Sequence, residues 1–295
     1  MKKRIALVGG SSTLSNYIKN NKFFTSSYEI ITIGRNDDHI YCDLSKDESF
    51  TIPCDIDIVI HTAACFDIET DKNILNTEIV NSLGTLKVCI AARKSRAKQI
   101  IIISTISSII ENTSVYYNIY GISKRHAEDL ATYYCNKYNI NLTILRPSQI
   151  YDEKSLFKRH QPLFFNIIEK AYSGENIVLY GSNDAMRNYI HISDIVKIIL
   201  YVVEKGVVGV YNCTYQTDVR LSYIAKIALE VFGKGGEIYF DDSKDNVFDN
   251  IFPIDNDLYN KINYYPVIDI KEGVKMIYTY RERIKAHEND FSIGG

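Results

Sequence analysis

Residues 4–15 of this 295-residue chain read Arg-Ile-Ala-Leu-Val-Gly-Gly-Ser-Ser-Thr-Leu-Ser. The apolar run stops at a glycine pair, which predicts a buried strand, a tight turn and the start of a helix. Such a loop can bind the phosphates of a dinucleotide, because its glycines permit close approach and the helix N-terminus offers free N–H groups. Only the first glycine, Gly9, is kept, and Ser12 and Ser15 replace the second and third. The loop therefore fits either a dinucleotide site or an ordinary strand-to-helix turn.

The alternation of strands and helices continues through the first two-thirds of the chain, as is typical of βαβ units and a parallel sheet. Several of the strands are continuous apolar runs, which indicates burial on both faces. We predict an α/β fold, namely a Rossmann-type doubly wound parallel sheet with a smaller C-terminal α/β domain. The predicted strands are Arg4–Val8, Glu29–Ile33, Ile40–Cys42, Ile56–Thr62, Gln99–Ser104, Leu142–Leu145 and Val207–Asn212, and the predicted helices lie near 13–21, 73–94, 118–138 and 192–204.

The alternation breaks after about residue 150, which predicts a second domain. We expect helices at 156–174, 221–233 and 269–286 there, with a short strand at 177–180. The predicted dinucleotide-binding domain is 1–150 plus about 191–213, and the predicted substrate domain is about 151–190 and 214–295. In the second domain, Phe164, Phe165 and Tyr180 could either stack on a nucleotide base or pack in the core.

The composition excludes several classes of protein. Hydrophobic residues make up 46% and charged residues 24%, and the net charge of −2 provides no basic field for nucleic acid. No apolar run approaches the length of a membrane span, and the first one is too short for a secretion signal. The six cysteines and six histidines show no metal-binding spacing. We expect a cytoplasmic protein without a metal ion.

Tyr120 and Lys124 lie four residues apart in the predicted helix 118–138, so they share one helix face. A phenol beside an ammonium makes an acid/base pair, because the cation favours the ionised phenol and a free tyrosine titrates only near pH ~10. The same spacing also arises by chance. The pair alone therefore fits either a proton-transfer site or an ordinary helix surface.

Arg35 follows the second predicted strand, at the position where cofactor preference is decided. A site for NAD commonly carries Asp or Glu here for the ribose diol, whereas an arginine suits the 2′-phosphate of NADP. Arg35 therefore favours NADP, although an ordinary surface arginine would look the same.

Taken in order, these motifs resemble those of the extended short-chain dehydrogenase/reductase superfamily. Within it they resemble the NAD(P)-dependent nucleotide-sugar epimerases, dehydratases and 4-ketoreductases. The resemblance covers residues 4–232. It rests on Asp43-Leu44, residues 59–64 (Val-Ile-His-Thr-Ala-Ala), residues 81–85 (Asn-Ser-Leu-Gly-Thr), Ser104-Thr105, residues 120–128 (Tyr-Gly-Ile-Ser-Lys-Arg-His-Ala-Glu), residues 145–147 (Leu-Arg-Pro), residues 187–194 (Arg-Asn-Tyr-Ile-His-Ile-Ser-Asp) and Tyr211-Asn212.

The resemblance implies a role for each residue of the catalytic set. Tyr120 would be the proton donor or acceptor at the sugar oxygen, and Lys124 would hold the nicotinamide ribose and tune Tyr120. Thr105 would hydrogen-bond the same sugar oxygen, with Ser107 as the alternative hydroxyl. Two hydroxyl donors would then meet the atom whose charge changes during hydride transfer. Arg187 would bind the pyrophosphate of the nucleotide sugar through its forked guanidinium.

The resemblance also implies a row of residues along the cofactor. NADP, as NADPH, is the favoured cofactor, and NAD is the alternative. The implied cofactor-binding residues are Gly9, Ser12, Thr13, Leu14, Arg35, Asp43, Leu44, Ala63, Ala64, Asn81, Tyr120, Lys124 and Pro147.

The favoured function is NADPH-dependent reduction of the C4 keto group of a nucleotide-linked 6-deoxy sugar. Arg35 suits NADPH, and a poor glycine loop suits a cofactor that exchanges in every turnover. The alternatives are an NAD-dependent nucleotide-sugar 4-epimerase and a non-catalytic relative that binds a nucleotide. A 4,6-dehydratase is not expected, because Ile106 and Ser107 replace the Asp-Glu pair of those relatives.

Relatives commonly form dimers through two helices of each subunit, here about 76–94 and 118–138. The resemblance therefore implies a homodimer. The expected partners are a nucleotide-sugar substrate and a second copy of the chain, with neither nucleic acid nor a membrane.

Overall fold

The computed structural model describes residues 2–36, 38–66 and 69–292, with the backbone alone described from 287 onward. The chain forms two compact units. The first comprises Met1–Pro147, Val196–Cys213 and Asp255–Tyr265, and the second comprises Ser148–Ile195, Thr214–Ile254 and Pro266–Gly295.

Strands and helices occur along the whole described chain. In chain order the strands are β1 (Lys3–Val8), β2 (Tyr28–Gly34), β3 (Ile40–Tyr41), β4 (Ile58–His61), β5 (Gln99–Ile103), β6 (Asn141–Pro147), β7 (Gln149–Tyr151), β8 (Ile177–Tyr180), β9 (Met186–Arg187), β10 (Tyr189–His191), β11 (Gly209–Cys213), β12 (Val219–Arg220) and β13 (Ile238–Asp241). The helices are α1 (Thr13–Lys19), α2 (Lys22–Ser27), α3 (Asp71–Glu78), α4 (Gly84–Ser95), α5 (Ile119–Tyr138), α6 (Pro162–Ser173), α7 (Ile192–Lys205), α8 (Leu221–Phe232), α9 (Asp257–Ile262) and α10 (Ile270–Ser292). A π-helical segment at Ile79–Leu83 separates α3 from α4, and a 3₁₀ helix spans Ile106–Ile109.

The first unit is built on a seven-stranded parallel sheet in the order β11-β6-β5-β4-β1-β2-β3. All five residues of β5 are buried, as its continuous apolar run predicts for a strand covered on both faces. The strand order reverses between β1 and β4, and ligands of such sheets bind outside the carboxyl ends of the strands at this switch point. The predicted doubly wound parallel sheet is confirmed.

Helix α5 is fixed at both ends by its own sequence. The Asn118 side chain caps its N-terminus, where Oδ1 accepts a hydrogen bond from Gly121 N at 3.0 Å. At the other end, Asn139 adopts the left-handed conformation with φ at 52° and closes the helix. The buried face of α5 includes Lys124 and Glu128, one turn apart. The helix therefore carries two ionisable groups into the interior beside β5 and β6.

The second unit packs around aromatic side chains. It contains three two-stranded sheets, β10-β7 and β13-β8 parallel and β12-β9 antiparallel, together with α6, α8 and α10. Phe164 and Phe165 are fully buried, their ring centroids lie 5.1 Å apart, and Phe164 contacts Tyr151 at 4.9 Å. These two phenylalanines therefore pack in the core, whereas Tyr180 is exposed.

The structure differs from the predicted elements in several places. The predicted helix 73–94 is interrupted by the π-helical segment. The two-residue strand β9 and the six-residue helix α9 were not predicted, because elements this short carry too little periodicity. Residues 255–265 were predicted in the second domain but belong to the first unit. There α9 packs on β11, and Lys261 Nζ donates to Tyr211 Oη at 3.2 Å.

Among the helices that the structure describes, none is long and apolar enough to cross a membrane.

Candidate active site

A cavity of about 300 Å³ lies at the switch point of the sheet, where the turn after β1 meets the end of β4. Gly9 adopts a φ of +91°, and a side chain there would collide with the backbone of Ala63. The two strand ends therefore approach as closely as only a glycine permits. The cavity is lined by Val8, Gly9, Ser11, Ser12, Ile33, Gly34, Arg35, Cys42, Asp43, Leu44, Ser45, Ala63, Ala64, Cys65, Asn76 and Val80.

The serines that replace the fingerprint glycines belong to a cluster of hydroxyl groups. Ser12 Oγ and Ser15 Oγ lie 3.0 and 2.7 Å from Thr62 Oγ1, which itself donates to the carbonyl of Val8 or Gly9. Ser12 also caps α1 by accepting from Ser15 N. The cluster joins α1 to the end of β4. The close helix–strand packing that a third glycine would allow is thus achieved here by small hydroxyl side chains.

Arg35 and Asp43 lie on the rim of the same cavity. Burial raises the pKa of Asp43, but hydrogen bonds from Ser45 and the charges of Arg35 and Lys46 together hold it below its ordinary value. Ser45 donates to Asp43 Oδ1 through both Oγ and N, at 2.6 and 3.0 Å. Asp43 is therefore a fixed carboxylate, and Arg35 is exposed beside it. The rim presents both signs of charge to a ligand.

Asp38 is a second carboxylate at this edge of the sheet. It occupies the space that a side chain at Gly10 or Gly34 would need, so it lies directly against the loop after β1 and the end of β2. Its Oδ2 is buried, and no hydrogen-bond partner for it occurs among the described residues. A buried carboxylate oxygen without a donor is unfavourable, which makes this oxygen a ready acceptor for a ligand hydroxyl.

A relay of hydrogen bonds ends at the Tyr120 phenol. Ser107 N donates to Thr105 Oγ1 at 3.2 Å, and the Thr105 hydroxyl lies beside the Tyr120 phenol, where their hydrogen bond favours the ionised phenol. Gly121 makes this approach possible, because a side chain there would lie 2.6 Å from Ser107 O. The structure therefore places Thr105 against Tyr120, whereas Ser107 takes part through its backbone.

The protonation of Tyr120 and Lys124 is governed chiefly by burial. Burial raises the pKa of Tyr120, and the hydrogen bond from Thr105 opposes that rise. Burial also lowers the pKa of Lys124 to about 8, against the charge of Glu128. Lys124 Nζ donates to the carbonyl of Ile103 at 2.7 Å. Burial is therefore the largest influence on both pKa values, and the expected effect of Lys124 on the Tyr120 phenol stays a prediction.

The buried carboxylate of Glu128 lies on α5, one helical turn beyond Lys124. Both oxygens of Glu128 accept from Arg146 Nε at 3.0 Å, and Arg146 Nη2 donates to Oε2. Oε1 also accepts from Ser104 and from Ser108, the latter at 2.8 Å. Glu128 therefore connects α5 to the ends of β5 and β6 and to the 3₁₀ helix.

Asn81 ties the cavity to the helix that carries Tyr120. Its side-chain oxygen accepts from Cys65 N at 2.7 Å, and its Nδ2 donates to Cys65 O and to Ser123 Oγ, both at 2.9 Å. Ser123 Oγ in turn donates to the carbonyl of Tyr120. Asn81 lies in the π-helical segment, which is a common location for functional residues.

The structure brings together about half of the predicted cofactor residues. The cavity lining includes Gly9, Ser12, Arg35, Asp43, Leu44, Ala63 and Ala64. Thr13 and Leu14, in the first turn of α1, and Pro147, at the end of β6, do not line it. Arg187 lies in the second unit, is buried, and donates through Nη1 to the carbonyls of Met186 and Phe248.

Sequence reasoning missed several residues of this site, of which four matter most for its chemistry. Cys65 and Phe66 directly follow Ala63-Ala64, so their position after the fourth strand was a usable signal. Asp38 lies four residues beyond the end of β2, and no spacing rule identifies it. Thr62 was noted only as part of a motif, and its hydroxyl contacts depend on three separate segments. In the portions of the chain that the structure describes, no group of three or more His, Cys, Asp or Glu side chains could hold a metal ion.

The comparisons with known proteins agree with this geometry. A family model described as "NAD dependent epimerase/dehydratase family" matches residues 9–214. A Methanocaldococcus jannaschii protein, provisionally named UDP-glucose 4-epimerase, is 22% identical over 92% of this chain and 96% of its own. A Streptomyces dTDP-4-dehydro-6-deoxy-D-allose reductase is 26% identical over 43% of this chain and 39% of its own. The crystal structure of UDP-glucose 4-epimerase with UDP-glucose from Thermotoga maritima has the same fold, with a TM-score of 0.78, 19% identity and coverage of 95% and 99%.

Replacing Glu128 by glutamine is expected to destabilise the protein by about 3 kcal/mol, because it leaves the Arg146 charge without its partner in the interior. Chemical denaturation followed by circular dichroism measures the change. Asp129→Asn, at the exposed neighbouring position of α5, is the matched control and should change stability by less than about 0.5 kcal/mol. Equal effects of the two substitutions would contradict the structural role of Glu128.

Replacing Lys124 by methionine is expected to remove a pH dependence of stability. The unfolded lysine keeps its proton up to a pH near 10.5, whereas the folded one releases it near 8. Between these values the unfolded state binds more protons, so the folded protein gains stability as the pH rises, by about 3 kcal/mol at most. The difference in unfolding free energy between wild type and variant should therefore shift in favour of wild type between pH ~8 and ~10. Parallel curves would show that the Lys124 pKa is not lowered.

Proposed function

The chain belongs to the NAD-dependent epimerase/dehydratase family, and on that premise we propose that it transfers a hydride at C4 of a nucleotide-linked sugar. The observation that carries the proposal is the relay from Ser107 N through Thr105 Oγ1 to the Tyr120 hydroxyl, with the buried Lys124 one helical turn away. These groups supply a proton donor or acceptor and a second hydroxyl for one sugar oxygen.

The proton steps follow from the chemistry of these side chains. Tyr120 exchanges a proton with the sugar C4 oxygen, and Thr105 donates a hydrogen bond that stabilises whichever oxygen is negative. Lys124, with a pKa of about 8, keeps most of its charge at neutral pH and stabilises the Tyr120 phenolate when it forms. The second unit is proposed to bind the nucleotide sugar, with Arg187 as a candidate for its pyrophosphate.

The cavity of the first unit has the features that a dinucleotide requires. Gly9 permits close approach of a phosphate, Ser11 and Ser12 offer polar atoms, and Asp38 Oδ2 is an acceptor without a donor. A nicotinamide cofactor bound there would supply and accept the hydride. Gly9, Ser12, Asp43, Leu44, Ala63 and Ala64 are the proposed contacts.

NAD-dependent 4-epimerisation is the function that these observations support best, although the sequence alone favoured the reductase. Asp38 is suited to the ribose diol of NAD and would repel the 2′-phosphate of NADP. Ile106 and Ser107 still argue against a 4,6-dehydratase. The Methanocaldococcus jannaschii relative, which is aligned over 92% of this chain, carries an epimerase name, whereas the Streptomyces reductase is aligned over 43% of this chain.

The NADPH-dependent 4-ketoreductase is the second candidate, and Arg35 is the observation that favours it. Its guanidinium lies on the rim of the cavity and could pair with a 2′-phosphate. Arg35 and Asp38 thus make opposite predictions for the cofactor.

Two assays distinguish the candidates. An epimerase inverts C4 of a nucleotide hexose without net oxidation of the cofactor, whereas a reductase consumes NADPH with a nucleotide-linked 4-keto-6-deoxy sugar. Tyr120→Phe should lower turnover in the active assay at least a hundredfold, because the proton donor is lost. Tyr117→Phe, three residues earlier in the chain, is the matched control. Near-full turnover of Tyr120→Phe would contradict the proposal, and a folded protein inactive in both assays would support a non-catalytic relative.

Cofactor choice is tested at Arg35 and Asp38. Because the protein contains no tryptophan, binding of NADH and NADPH is followed by nicotinamide fluorescence excited directly. Wild type should bind NADH more tightly, and Asp38→Asn should reduce that preference roughly tenfold by removing the charge. Arg35→Ala should leave NADH binding unchanged. Tighter binding of NADPH that Arg35→Ala abolishes would instead support the reductase.

A further inference from the structure

The ring of Phe66 is stacked on the ring of Tyr120. The two centroids lie 4.4 Å apart with an interplanar angle of 30°. Phe66 is 42% exposed, and it directly follows Cys65, which lines the proposed cofactor cavity. The mechanism described above does not use this side chain.

We propose that Phe66 is a positioning residue for proton transfer, holding the Tyr120 ring so that its hydroxyl stays on Thr105 and covering one ring face from water. The inference rests on the proposed function, in which Tyr120 exchanges the proton. It goes beyond that function because Phe66 itself touches neither the sugar oxygen nor the proton.

The need for a second restraint follows from the location of Tyr120. It is the second residue of α5, so no preceding helical turn packs against its ring. The hydrogen bond from Thr105 fixes the hydroxyl end of the side chain but leaves the ring plane free to turn. Phe66 restrains that plane, because it lies nearly parallel to the Tyr120 ring. Phe66 itself is held in place by Cys65, whose backbone is bonded on both sides by Asn81.

The apolar contact also keeps Tyr120 protonated. Burial is the leading cause of its raised pKa, and the Phe66 ring covers one face of the phenol. The charged groups on the elements around it have partners of their own: Glu78 with His126, Arg146 with Glu128, and Lys124 with the carbonyl of Ile103. Burial likewise lowers the pKa of His61 to about 3, so His61 adds no charge near neutrality.

Phe66→Leu tests the proposal in the full-length protein, in whichever assay the wild type is active. Loss of the stack should lower kcat roughly three- to tenfold, with little change in the Kd for NADH or NADPH. The limb of the pH–rate profile that reports Tyr120 should move to lower pH, since water then reaches the phenol. Phe66→Tyr retains the ring and should restore both values. Phe23→Leu, at another exposed phenylalanine, is the matched control and should behave as wild type.

The failures of the two proposals are distinguishable. If Tyr120→Phe is inactive but Phe66→Leu keeps the wild-type kcat and pH profile, the inference about Phe66 is wrong and the proposed function stands. If Tyr120→Phe remains active, the acid/base assignment itself fails, and the Phe66 proposal fails with it. Should Phe66→Leu not fold, Phe66→Met is measured in its place with the same expected shift. An effect of Phe66→Leu that Phe66→Tyr does not restore would also overturn the proposal.

Discussion

The hydrogen bonds of the buried Glu128 carboxylate are the interaction on which the arrangement of α5, β5 and β6 depends. It lies on α5, yet its partners are Arg146 on β6, Ser104 at the end of β5 and Ser108 in the 3₁₀ helix. A charge in the interior is tolerated only when it is paired and hydrogen-bonded, so these four segments must be assembled together. The same constraint sets how α5 lies on the sheet, and therefore where its first two turns project.

The positions of Tyr120 and Lys124 follow from that assembly. Because the hydrogen bonds of Glu128 fix α5 on the sheet, Lys124 reaches the carbonyl of Ile103, and Tyr120 lies at the start of the helix beside Thr105. The cavity side is held in a similar way by Thr62, whose hydroxyl contacts Ser12 in the loop after β1 and Ser15 in α1. Asn81 joins the two sides by bonding Cys65 and Ser123. Polar side chains inside the unit thus do the positioning, while apolar residues supply the bulk of the core.

Much of the first unit was readable from the chain. Continuous apolar runs separated by helical periods predicted the strands and the parallel sheet, since a strand that is covered on both faces is apolar at nearly every position. The spacing of Tyr120 and Lys124 in the predicted helix 118–138 placed both residues on one face of α5, as the structure has it. Two-residue strands such as β9 and the π-helical segment were not predictable, because they are set by pairing with distant residues and leave no periodic trace. In the second unit the three long helices and the strand at 177–180 were predicted, whereas its other short strands were missed for the same reason.

The sequence by itself determined the order of most long elements, the family, and the placement of Tyr120 and Lys124 on one helix face. These features rest on short motifs and periods, since each of them depends on residues within one helical turn or one strand. Only the tertiary structure decided what surrounds that pair. Three contacts join segments that are separated in the sequence. They are the contact of Asp38 with Gly10, the stacking of Phe66 on Tyr120, and the hydrogen bonds of Thr62 with the serine hydroxyls. Charge and burial act through space rather than along the chain, so the pKa of Tyr120 and the charges around the cavity became visible only once the chain was folded.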